Sequence, residues 1–320
     1  MIRRLGIACL ARPPFWNFLR WRALRGGHLT ILCYHTLGPD AGGTDGWTVL
    51  ARSEFRAQLK ALQRTYRIVS LDEALLGPDP HGRPQAVITF DDGDRGLYTY
   101  LLPILRETPV PVTIYVATAQ FETGRPFWFD RVVNALQGGH DISVNGLGSW
   151  VLPTRPGKAH WAVLSDILEA LKGVDPVDRE GLADQVVAQG SHPSDPKTAL
   201  GPMTRDQLKE LAALDGVTIG AHSHGHELLD QIPLSDARQS MARSQELLRE
   251  WTGQSVHHFA FPNGNHTSAL RQAAKDIGFR TATILEDQPA APDSDPFALP
   301  RISVGRYDSH DRVRLRLVGI

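Results

Sequence analysis

The chain lacks the features that define several classes of protein. Only two of its 320 residues are cysteines, Cys9 and Cys33, which excludes a disulfide framework and an all-cysteine zinc site. Neither sign of charge is in excess: 34 basic and 35 acidic side chains give a net charge of −1, so we expect no nucleic-acid partner. No run approaches the roughly 20 apolar residues of a membrane-spanning helix. The 42% of hydrophobic residues is instead typical of a folded globular protein.

The N-terminal segment, residues 1–27, has six arginines and no acidic residue. Its apolar run, residues 5–11, is followed by Pro13-Pro14 without a small-residue cleavage site, so a cleaved signal peptide is not predicted. A basic and aromatic segment could rest on an anionic membrane surface, and the alternative is a first helix packed on the domain. We therefore expect a cytoplasmic protein or one attached to the inner face of a membrane.

Short runs of β-forming residues recur along the rest of the chain, and helix signals lie between them. Ser53 and Ser235 are expected to cap helices, Thr204 with Gln207 forms a capping box, and Gly253 ends a helix. Alternation of strands and helices predicts an α/β fold with a parallel sheet or barrel. The predicted strands are residues 29–34, 67–69, 86–90, 112–116, 217–221, 257–261 and 280–284.

The stretch from about residue 121 to 202 interrupts this alternation with several prolines and a Gly-Gly pair. We interpret it as a long insertion between two core strands, helical over residues 159–172, and not as an independent domain. Its Phe127 and Trp128 could stack on sugar rings or anchor the insertion on the barrel. The predicted division is thus residues 1–27, a core domain 28–308 with this insertion, and a C-terminal tail 309–320.

Polar residues follow three predicted strands where a core does not require them. Asp91 and Asp92 form an adjacent carboxylate pair that is costly at a buried strand end unless a cation is near, although Asp-Gly is also a common turn. His222 and His226 can reach one ion, and two histidines with one carboxylate are a recurring catalytic zinc arrangement. The turn at Asn263 could direct backbone N–H groups at an oxyanion.

In this order, Thr-Phe-Asp-Asp-Gly (89–93), His-Ser-x-x-His (222–226) and Phe-Ala-Phe-Pro-Asn-Gly (259–264) resemble the three motifs of the polysaccharide deacetylase family, the NodB-homology carbohydrate esterases. Leu-Pro-Arg-Ile (299–302) resembles a later strand of some branches. The resemblance covers about residues 28–305. It implies a distorted (β/α) barrel of about seven strands that holds a divalent metal, most often zinc.

The resemblance also implies the role of each site residue. Asp91 would be the general base, Asp92, His222 and His226 the metal ligands, and the Asn263 backbone N–H a donor to the oxyanion. These positions lie at the carboxyl ends of predicted strands, where barrels carry their active sites.

Two positions depart from the family pattern. Ala260 stands where the third motif often has an arginine that orients the base, and we expect Arg301 to replace it. The late Leu-x-His motif that supplies a general acid is absent after residue 270. Ile-Leu-Cys-Tyr-His (31–35) resembles branches in which that strand moved to the front, so His35 is assigned as general acid. The alternative is a hydrogen-bonded histidine that closes the first strand.

The resemblance implies a hydrolase that removes N-acetyl groups from amino sugars of a polysaccharide or of its lipid-linked precursor. A carbohydrate O-acetyl esterase would use the same residues. A sugar-binding relative without activity is the third alternative, and the retention of the base and all three metal-ligand positions argues against it.

Overall fold

The computed structural model describes residues 27–190 and 198–317. The membrane-surface prediction for residues 1–27 therefore falls, except for residue 27, outside the described residues. Within these ranges no helix is long and apolar enough to cross a membrane.

Seven parallel strands form a closed ring in the order β1, β5, β6, β9, β10, β11, β12 and back to β1. Runs without strict alternation suit such strands because both faces are covered. The short β4 pairs with the start of β5, and β2–β3 and β7–β8 form separate two-stranded sheets. The strands are β1 Thr30–Tyr34, β2 Thr36–Gly38, β3 Val49–Ala51, β4 Arg67–Ile68, β5 Gln85–Phe90, β6 Val112–Val116, β7 Asp141–Val144, β8 Gly148–Val151, β9 Val217–Ala221, β10 His258–Ala260, β11 Thr281–Leu285 and β12 Leu299–Ser303.

Helices cover the outside of the ring and bury their apolar sides on it. A π-helical turn, Leu97–Leu101, precedes α3, and 3₁₀ turns occupy Leu229–Gln231 and Pro262–Gly264. The architecture confirms the predicted distorted (β/α) barrel of about seven strands. The helices are α1 Arg52–Thr65, α2 Leu71–Ala74, α3 Leu102–Glu107, α4 Ala119–Thr123, α5 Trp128–Ala135, α6 Lys158–Lys172, α7 Pro176–Ala188, α8 Arg205–Ala212, α9 Leu234–Thr252, α10 Ser268–Ile277 and α11 His310–Arg316.

Two of the predicted helix caps were wrong. α1 begins at Arg52, so Ser53 lies inside its first turn, and its N–H donates to Asp40 Oδ1 at 2.9 Å. α9 likewise begins before Ser235. In both cases the residue before the serine is compatible with a helix, so the helix begins one residue before that serine. The capping box at Thr204 and the left-handed Gly253 are as predicted.

The segment between β6 and β9 forms what we call the inserted lobe, residues 117–190 and 198–216. It contains α4 to α8 and the β7–β8 hairpin. The apolar side chains of α5, α6, α7 and the hairpin form a core separate from the barrel core, built around Leu164, Ile167 and Leu171 of α6 and Val186 of α7, whereas those of α8 pack in the barrel core. The predicted helix over residues 159–172 corresponds to α6, and the lobe adds α7, which had not been predicted.

Candidate active site

A cavity of about 400 Å³ opens at the carboxyl ends of the barrel strands, where parallel strands expose their last side chains. One wall comes from the barrel and the other from the inserted lobe. The cavity brings together six of the seven residues predicted for the site: His35 after β1, Asp91 and Asp92 after β5, His222 and His226 after β9, and Asn263 after β10. Arg301, the seventh, lies within β12 and reaches the site from below the cavity floor.

Asp92, His222 and His226 form a compact group whose ligand atoms lie within 4.8 Å of one another. Asp92 Oδ1 is 3.2 Å from His226 Nε2 and 3.5 Å from His222 Nε2. Ligands of a tetrahedral zinc, at the usual bond lengths, are about 3.3–3.5 Å apart. Asp92 Oδ1 is also buried without a hydrogen bond to the described residues, which is costly for a carboxylate that has no cation beside it. The group therefore fits a divalent metal.

The His222 ring is held in the form that a metal ligand needs. Its Nδ1 lies 2.7 Å from the Ala260 carbonyl oxygen, which can only accept, so Nδ1 carries the proton and Nε2 keeps its lone pair. Burial lowers the pKa of His222 to about 4, so the ring is neutral near pH 7. Ala260, the departure from the family's third motif, thus contributes through its backbone.

Arg301 and Asp91 form a bidentate ion pair inside the barrel. Arg301 Nη1 donates to Asp91 Oδ1 at 2.6 Å, and Nη2 donates to Oδ2 at 2.7 Å. Arg301 is 0% exposed, and its guanidinium lies over the Tyr115 ring. Burial alone would raise the pKa of Asp91, but the Arg301 guanidinium outweighs it and holds that pKa well below its ordinary value. The Asp91 carboxylate is therefore held by an arginine from another strand, β12.

A third donor, not anticipated from the sequence, reaches Asp91. The Cys33 thiol donates to Asp91 Oδ2 at 3.4 Å, and burial raises the pKa of this thiol, which keeps it protonated. Oδ2 thus accepts two hydrogen bonds, whereas Oδ1 accepts one from Arg301. The carboxylate thus accepts three hydrogen bonds, and its roughly four lone-pair sites leave about one for a further partner.

His35 and Asn263 complete the barrel side of the cavity. The His35 ring meets Trp47 edge-on, with centroids 5.7 Å apart, and its buried Nδ1 has no hydrogen-bond partner among the described residues. The Asn263 side chain accepts from Lys172 Nζ of α6 at 2.8 Å. Lys172 was not among the predicted site residues.

Two further buried carboxyl groups lie close enough to Asp92 to feel its charge, and they were not predicted from the sequence. Asp94 is 0% exposed and accepts from the Gly201 N–H at 3.0 Å, and Asp130 of α5 is 2% exposed. Burial raises the pKa of both, and the charge of Asp92 raises it further. Asp94 sits two positions beyond the Asp91-Asp92 pair, which is the sequence signal that could have drawn attention to it.

Unusual backbone conformations concentrate at the same strand ends. Of five non-glycine residues with positive φ in the described ranges, four border the site: Asp92, Ser223, His226 and Asn263, with φ between 54° and 72°. Such conformations cost free energy and persist where surrounding contacts impose them. The loops that bear the polar residues are therefore held in fixed positions by the barrel.

A model of the polysaccharide deacetylase family matches residues 79–175 and 185–282. These ranges exceed half of the chain, and the chain belongs to the polysaccharide deacetylase family. This confirms the resemblance and the predicted enzyme class, a deacetylase among the hydrolases.

Individual relatives are distant. YxkH of Bacillus subtilis (strain 168) is 26% identical over 102 residues, which span 32% of this chain and 36% of YxkH. The deacetylase PplD of Streptococcus pyogenes superposes with a TM-score of 0.58 at 16% identity, covering 90% of this chain and 97% of PplD. A de-N-acetylase from Aggregatibacter actinomycetemcomitans gives 0.55 at 14% identity, with 91% and 100% covered. At these identities the superpositions show a shared fold.

Proposed function

We propose that this protein is a metal-dependent hydrolase that removes N-acetyl groups from amino sugars of a glycan. The observation that carries the proposal is the meeting, in one cavity, of the Arg301-bound Asp91 with the Asp92–His222–His226 group. Family membership supports deacetylation. The de-N-acetylase with the same fold supports hydrolysis of an amide bond rather than an ester bond.

Asp92, His222 and His226 would hold the metal, and their donor set suits zinc. When bound, such an ion supplies Lewis-acid polarisation of the acetyl carbonyl and of the attacking water. Asp91 takes a proton from that water, while Arg301 fixes the plane of the carboxylate. The Asn263 backbone N–H donates to the oxyanion.

His35 donates a proton to the departing nitrogen, so that water and amide become acetate and a free amine. An amine leaves only when protonated, whereas the alcohol of an ester needs this help much less. A histidine ring with an unpartnered nitrogen beside the base is therefore more useful to amide hydrolysis than to ester hydrolysis.

The test measures acetate release by zinc-loaded protein from N-acetylglucosamine oligomers and from an O-acetylated glycan, with Asp91→Asn as the blank. We expect release from the N-acetylated substrate. Release from the ester alone would reassign the protein as an O-acetyl esterase with the same residues. If metal-bound protein released no acetate from either substrate, a non-catalytic sugar-binding relative would be favoured.

A further inference from the structure

We infer that helix α6 of the inserted lobe is a substrate-binding wall that selects a neutral oligosaccharide of several linked sugar rings. The inference rests on the proposed function, and it chooses between a polymeric glycan and a diphosphate-linked precursor.

The first observation is the stripe that α6 turns toward the cavity. Trp161, Ser165, Leu168 and Lys172 all line it, at intervals of four, three and four residues, which places them on one helical face. From the first to the last, this face runs about 16 Å along the helix. That length exceeds a single sugar ring and suits a short chain of rings.

The second observation is that α6 is attached to the barrel at both ends. Near its start, Lys158 Nζ donates to the Tyr307 carbonyl oxygen at 3.4 Å, and the Trp161 ring faces that of Tyr307 at 6.5 Å. At its end, Lys172 Nζ donates to Asn263 Oδ1. The helix therefore crosses the barrel mouth from the exit of β12 to the exit of β10, with the catalytic residues beneath it.

The third observation is the chemistry of the lining. Trp161, Trp128 and Trp47 offer half-buried aromatic surfaces, which suit the apolar faces of sugar rings. Lys172 is the one lysine or arginine among the described residues that line the cavity. Its Nζ already donates to Glu169 Oε1 and to Asn263 Oδ1, each at 2.8 Å. A diphosphate would need unpaired cations here, so the lining favours a neutral glycan.

The test compares the wild type, Trp161→Ala, Trp161→Phe and Asp166→Ala as zinc-loaded full chains. Asp166 is an exposed residue on the same helix that does not line the cavity, so its variant is the matched control. The measured quantity is the ratio of kcat/KM for the N-acetylglucosamine hexamer to that for the dimer, with UDP-N-acetylglucosamine as the diphosphate probe. Hexamer binding to Asp91→Asn, alone and combined with Trp161→Ala, is measured by calorimetry.

We expect the wild type to prefer the hexamer, and Trp161→Ala to lower the ratio about threefold to tenfold, mainly through KM, the range that one aromatic contact supplies. Trp161→Phe should keep most of the hexamer-to-dimer ratio of kcat/KM, and Asp166→Ala should leave that ratio unchanged. If Trp161→Ala lowered kcat/KM equally for the dimer and the hexamer, α6 would not be a substrate-binding wall. A preference of the wild type for UDP-N-acetylglucosamine would contradict the inference as well. If the hexamer bound in a manner that depends on Trp161 but no acetate were released, the proposed function would be wrong. The inference that α6 binds the glycan would still hold.

Discussion

The barrel strand ends and the inserted lobe meet at one cavity, but they are built differently. At the strand ends Asp91, Asp92 and His222 are at most 3% exposed, and the polar atoms of Asp91 and His222 are fixed by partners from neighbouring strands. The lobe has its own apolar core and turns half-buried aromatic and polar side chains toward the same space. The reacting groups thus depend on strand register, whereas the surface that meets the ligand depends on a helix outside the barrel ring.

The adjacent carboxylates provide the largest test of the barrel side. Asp91→Asn should keep bound zinc and lose about 10²–10⁴-fold in kcat, because it removes a general base. Asp92→Asn, the same change one residue later, should lose the metal together with the activity. Metal content of the two variants, measured by elemental analysis beside acetate release, checks this. Loss of zinc from both would show that Asp91 is a ligand.

The buried ion pair provides the next test. Arg301→Met leaves the Asp91 charge inside the barrel without its partner, and we expect it to lower the free energy of unfolding by about 3–5 kcal/mol. Combining it with Asp91→Asn removes the unpaired charge and should restore much of the stability but none of the activity. Denaturant unfolding of the single and double variants measures the difference. An equal loss in both would mean that packing, rather than charge, dominates at Arg301.

A core substitution in the lobe tests how separate the two regions are. Leu164→Ala deletes a fully buried side chain of α6 and should cost about 2–5 kcal/mol locally. Hydrogen exchange on the full chain should then quicken in α6 and α7, while strands β5 and β9 keep their protection. If the strands lost protection equally, the lobe and the barrel would form one cooperative unit.

The contact between Lys172 and Asn263 has the smallest expected effect. Lys172→Met removes a partly exposed polar link, which should cost at most about 1 kcal/mol of stability. A KM raised a few-fold with kcat unchanged would fit a link that positions α6. A large fall in kcat would instead make Lys172 part of the chemistry.

The strand ends could be predicted further than the lobe because their signals are local. Apolar runs that end in Asp91 or His222 mark both the strand and its exit, and the family motifs fix the order of the residues. The contact between Cys33 and Asp91 could not be predicted because it depends on the register in which β1 pairs with β5. In that register Cys33 lies opposite Thr89. No residue pattern states that register.

The lobe was harder to predict for a different reason. Helix α7 carries an ordinary start, with Asp175 accepting from the Val177 N–H and Pro176 in the first turn. Its apolar residues do not form one clear stripe, since it packs against α5, α6 and β7 from several sides. Whether Trp161 meets a ligand or a neighbour likewise depends on where α6 crosses the mouth, which its own sequence does not state.

The pairing of Asp91 with Arg301 joins residues 210 positions apart in the chain, and β1 closes the ring between β5 and β12. During synthesis the carboxylate that would act as base is made long before its guanidinium partner. Until β12 leaves the ribosome, Asp91 lacks its Arg301 partner and the ring is not closed between β12 and β1. A nascent chain is therefore expected to acquire activity in one step, once β12 has been made and has paired with β1.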